Sequence, residues 1–108
     1  MEEIDKLRLG DVGTVFRIRI IDKAEEAIDL KDCIVKQIIF RKPDDTYVEK
    51  DSDFYTDGSD GYIQYTTIFG DLDQAGIWHI QSHIEFDVSN SWHTTIDSFL
   101  VSENLENK

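Results

Sequence analysis

Apolar residues along this chain recur at every second position far more often than at every third or fourth. In "TVFRIRII", Phe16, Ile18 and Ile20 share one parity and Arg17 and Arg19 the other, the spacing of a strand with one buried face. In "IWHIQSHIEF", Trp78, Ile80, Ile84 and Phe86 alternate with His79, Gln81, His83 and Glu85, and Ser82 is the one polar residue in phase with the apolar set. That run predicts a long central strand. Read throughout, the alternation predicts strands near 4–9, 14–21, 33–41, 46–50, 52–56, 62–67, 77–86 and 92–101, separated by turn residues. The last run changes phase between Ile96 and the pair Phe99 and Val101, so a bulge near Asp97 is expected to bring all three to one face. Only "DKAEEAIDL" offers helical spacing, through Ala24, Ala27 and Ile28, and nine residues without a stop signal favour a loop ending in a short "AIDL" strand. The fold class is therefore all-β, an antiparallel sandwich of about seven to eight strands.

At 108 residues there is material for one domain, 1–108, with its core over about 7–101 and a solvated tail at 102–108. The formal charge of −12, from 23 acidic against 11 basic residues, works against phosphate backbones and anionic lipid, so neither nucleic acid nor membrane is expected as a partner. "MEEIDKLRLG" lacks a basic start followed by an apolar stretch, so no signal peptide is expected. Cys33 is the single cysteine and reads as a small core or edge residue, leaving no intrachain disulfide.

The most site-like stretch is "DFYTDGSDGYIQY". An EF-hand loop begun at Asp53 needs an oxygen ligand at its third position and a glutamate at its twelfth, where Tyr55 and Gln64 stand. The tight-turn chemistry of Asp-Gly is the favoured reading of Asp57, Gly58, Asp60 and Gly61, and a looser calcium site on Asp57 and Asp60 is the alternative. His79 and His83 lie about 13 Å apart on one strand face, too far to share a metal. His93 comes beside one of them if the "DVSNS" hairpin sets that register. Trp78 and Trp92 read as core plugs, or, if exposed together, as a platform for a sugar ring. The residues assign no catalytic group, no cofactor and no metal ligand.

Four segments, "LRLGDVGTVFRIRIIDKAEEAIDL", "IIFRKPDDT", "TDGSDGYIQYTT" and "DLDQAGIWHIQSHIEF", carry a resemblance over about Leu7 to Val101. In this order they resemble the small immunoglobulin-like virion proteins of tailed bacteriophages and are similar to the N-terminal domain of the phage baseplate upper protein family. The shared motifs are Gly10, Asp11, Gly13 and Thr14, the Pro43 turn, and the corner Ala75, Gly76 and Trp78. Asp45 stands where such proteins often carry glycine, which implies a change of turn type. The resemblance implies an immunoglobulin-like sandwich without enzyme activity, made in the host cytoplasm and residing in the virion. It implies a structural role in tail, baseplate, neck or another accessory position, with other virion proteins as partners and self-association in the particle left open. No functional residue transfers with it. A carbohydrate-binding sandwich module, with glycan as ligand, is the alternative.

Overall fold

The computed structural model describes residues 7–104. Among these residues nine strands form two sheets: β1 (Leu7–Arg8), β2 (Val15–Arg19), β3 (Val35–Arg41), β4 (Tyr47–Asp51), β5 (Asp53–Phe54), β6 (Tyr62–Thr66), β7 (Gly76–Asp87), β8 (Asn90–His93) and β9 (Asp97–Ser102). The larger sheet runs β1-β9-β7-β3-β4, with β8 also on β7, and the smaller runs β2-β6-β5. Their inner faces pack together as a β-sandwich. Its order matches the immunoglobulin arrangement, in which one sheet holds strands G, F and C with an added C′ and the other holds B, E and D. All pairs are antiparallel except β1 with β9.

Alternation builds the core as the sequence requires. Ile38 and Phe40 of β3 and Trp78 and Ile84 of β7 point inward, facing Ile63 of β6 and Ile20 just beyond β2, and all are buried. Phe16 of β2 reaches across to Phe99 and Phe40, with ring centroids 4.9 and 5.3 Å away, which joins the two sheets through aromatic contact. Trp78 is 2 % exposed, stacks on Phe99 and donates its indole N–H to the carbonyl of Gln74 at 2.9 Å. The loop over 67–75 carries the chain from the small sheet to the large one and ends on this plug. Pro43 packs against Gly76, where an added Cβ would lie 3.0 Å from the proline ring.

Three sequence expectations are corrected. The run 92–101 is two strands, β8 and β9, which pair successively with the same edge of β7; Ile96 lies in the break and is 56 % exposed, so no bulge at Asp97 turns it inward. The register shift in this region belongs to β7, between Glu85 and Asp87. "AIDL" forms no strand: Ala27 makes an isolated bridge with Ile21, and Leu30 joins the hydrophobic core from a loop, its N–H donating to the Gly58 carbonyl. At the Pro43 turn Asp45 takes φ 71°, a conformation glycine often supplies, while its N–H donates to the Lys42 carbonyl and the Asp44 carboxylate accepts from the Thr46 N–H. Of the first expected strand, 4–9, only β1 and Leu9 lie within the described residues.

Candidate interaction surface

The loop at 57–61 is built as a turn. The Asp57 carboxylate accepts from the backbone and the hydroxyl of Ser59, and the Asp60 carboxylate accepts from the Tyr62 N–H and the Thr56 hydroxyl. Gly58 and Gly61 take φ 94° and 77°. A Cβ on Gly61 would sit 2.8 Å from the Ile20 carbonyl oxygen, and one on Gly58 2.9 Å from the Phe54 ring. Both glycines thus let the loop close onto the sandwich, where their carbonyls accept from Ile20 and Leu30. Among the described residues no group of three or more His, Cys, Asp or Glu side chains could hold a metal ion.

The hairpin register sets His93 opposite His83, with the rings stacked at 4.5 Å and 3°. His83 also lies 3.1 Å from the Ser91 hydroxyl and 3.8 Å from Glu85. His79 pairs elsewhere, with Ser98 and Arg41. Cys33 packs against the core, and burial pushes its thiol up, against a smaller opposing pull from Lys36. The two tryptophans do not form a common platform. Trp78 is core, whereas Trp92 is 45 % exposed and touches Phe86 edge-on.

One titratable cluster escapes the sequence because its members come from three separate segments. Asp71 accepts from the Tyr65 hydroxyl and from the Ile68 N–H, and its other oxygen stands 3.1 Å from the Lys50 ammonium. Burial pushes the Asp71 carboxyl up, but these bonds together outweigh it and hold the group below its ordinary value. Lys50 is raised, chiefly by its bond to Asp71, and Tyr65 is raised, chiefly by burial. The cluster borders a cavity of about 160 Å³ beside Phe40, Leu72 and Trp78. Each polar group in it has a partner within the fold, as befits a brace between the crossing loop and the two sheets.

The exposed surface is organised differently. The nine strands hold six Lys or Arg and six Asp or Glu, whereas the connections among residues 7–104 hold three and thirteen. Negative charge therefore collects in the loops and leaves the sheet faces near neutral. On the outer face of the small sheet Arg17 lies 3.8 Å from the centroid of the Tyr55 ring and Arg19 5.9 Å from that of Tyr62, and the two tyrosines meet edge-on at 5.8 Å. Arg17 also donates to Gln64, but neither guanidinium has a carboxylate partner among the described residues. Arginine and tyrosine together, held flat by cation–π contact, are the residue types that dominate protein interfaces.

Beside this face runs an open edge. Ile20 donates to Gly61 and its carbonyl accepts from Ile28, so even positions along this stretch turn their backbone groups toward β6. The odd ones, Val15, Arg17 and Arg19, turn theirs outward, where no described strand pairs with them. Between this edge and the β8–β9 break lies a groove of about 590 Å³, whose lining includes the apolar Ile18, Ile20 and Trp92 and the charged Asp22, Lys23 and Asp97. The alternation of Arg17 and Arg19 with apolar residues was the legible signal of this face; the free edge depends on sheet order, which local sequence does not carry. No known family model matches the chain, and no curated protein matches it, so the family resemblance rests on the four segments alone.

Proposed function

We propose that the chain is a structural component of a tailed-phage virion, working by protein–protein contact in the tail, baseplate, neck or another accessory position, and not by turnover. The observation that carries this reading is the β2 edge, unpaired among the described residues, beside an arginine–tyrosine face on a chain of net charge −12. The strong acidity opposes casual association, and a cationic face flanked by free backbone groups selects a complementary neighbour. The segments that carry the resemblance fit such a role. The Gly10–Thr14 segment is bonded to the 67–72 stretch through Gly10 to Leu72 and Gly13 to Thr67, so the shared residues brace one end of the scaffold. Mass spectrometry of purified particles tests the proposal: the chain is expected at fixed stoichiometry, and its absence from particles of the phage that encodes it overturns the reading.

A second reading, glycan binding, is favoured by the half-exposed Trp92 at the groove, since an indole face can stack on a sugar ring. Saturable binding of a defined oligosaccharide that is lost in Trp92→Ala, from a chain missing in particles, supports this alternative.

A further inference from the structure

We infer that the edge of β2, open among the described residues, is a strand-addition site for an extended segment of a partner protein in which acidic and apolar residues alternate. The inference rests on the proposed role in protein contact and names the chemistry of the partner. Three features converge on one five-residue strand. Val15, Arg17 and Arg19 present N–H and C=O groups that no described strand satisfies, which is what a sheet edge offers to an incoming strand. A strand laid there sends alternate side chains to opposite faces. Those on the outer face meet Arg17 and Arg19, which lack carboxylate partners among the described residues, so Asp or Glu fits at these positions. Those on the inner face enter the groove against Ile18, Ile20 and Trp92, where apolar side chains fit.

A second copy of the chain suits this edge poorly. Two β2 strands paired about a two-fold axis put Arg17 and Arg19 of both copies on one face, opposite one another, and bring two bodies of charge −12 together. The partner is therefore heterologous, and its acids are local to the added strand.

The experiment uses the full chain, isotopically labelled, and a capped ten-residue peptide of alternating Glu and Val. The expected result is saturable binding that slows hydrogen exchange at the Val15, Arg17 and Arg19 amides and shifts the Trp92 indole signal. The peptide with Lys in place of Glu is expected to bind at least tenfold more weakly. Arg17→Glu with Arg19→Glu is expected to reduce affinity for the Glu peptide at least tenfold while amide signals from β3 and β7 keep their positions; Arg17→Gln with Arg19→Gln provides a milder pair for the same comparison. Four results overturn the inference: no binding of the Glu peptide at millimolar concentration, binding with shifts confined to other strands, equal affinity of the charge-reversed chain, or slow exchange at the three amides in the free chain at every concentration, which means the edge is already covered. Any of these leaves the virion proposal standing if the chain is present in particles.

Discussion

At the scale of single residues, the turn glycines and the Asp71 brace make the sharpest claims. Gly10 and Gly61 both have positive φ, but a Cβ on Gly10 meets nothing within 4 Å and one on Gly61 meets the Ile20 carbonyl at 2.8 Å. Gly10→Ala is therefore expected to cost about 1–2 kcal/mol, the conformational term alone, and Gly61→Ala clearly more, read from urea midpoints; equal costs would refute the steric part. Because Asp71 is held below its ordinary value in the folded chain, its contribution is present above the unfolded value and is lost as pH falls through the lower, folded one. The urea midpoint should thus fall on acidification below about pH 4, by less in Asp71→Asn than in the parent. Lys50, raised in the folded chain, contributes below its unfolded value, and that contribution is lost only as pH rises through the still higher folded one. The "DGSDG" turn could be read from sequence because its bonds run between residues two to four apart. The brace could not, since Lys50, Tyr65 and Asp71 meet only once the two sheets and the crossing loop are in place.

At the scale of elements, strand identity followed from alternation wherever one face is core, as in β2, β3 and β7. It failed where pairing depends on the partner: "AIDL" has strand composition but makes only the isolated Ala27–Ile21 bridge, and the run 92–101 breaks where the edge of β7 passes from β8 to β9. The break is held by Thr94, whose N–H donates to the Ser82 carbonyl and whose hydroxyl accepts from the Ser82 N–H at 2.9 Å. Thr94→Ala leaves that buried donor unpaired and is expected to cost about 1–3 kcal/mol, with faster hydrogen exchange at Ser82 as the local signature. Trp78 ties three elements together, and its truncation to alanine is expected to cost about 3–5 kcal/mol; an unchanged denaturant midpoint would remove it from the core.

For the whole molecule, the excess of negative charge in the connections sets the response to salt. Screening self-repulsion should raise the denaturation midpoint of the isolated chain between roughly 0.01 and 0.5 M monovalent salt, where the Debye length shrinks from about 30 Å to under 5 Å. A midpoint that falls over this range would mean that the few ion pairs outweigh the repulsion. The pairing of β1 with β9 gives the molecule a mechanical character as well. Leu7 and Arg8 run parallel to Val101 and Ser102, and the Leu9 N–H adds a bond to the Ser102 carbonyl. Tension applied through the chain before β1 and after β9 pulls these two strands along their own length in opposite directions. Their bonds are then loaded together in shear and do not open one after another as in a hairpin pulled from its free ends, so this short clamp is the first element of the sandwich to resist a stretching load.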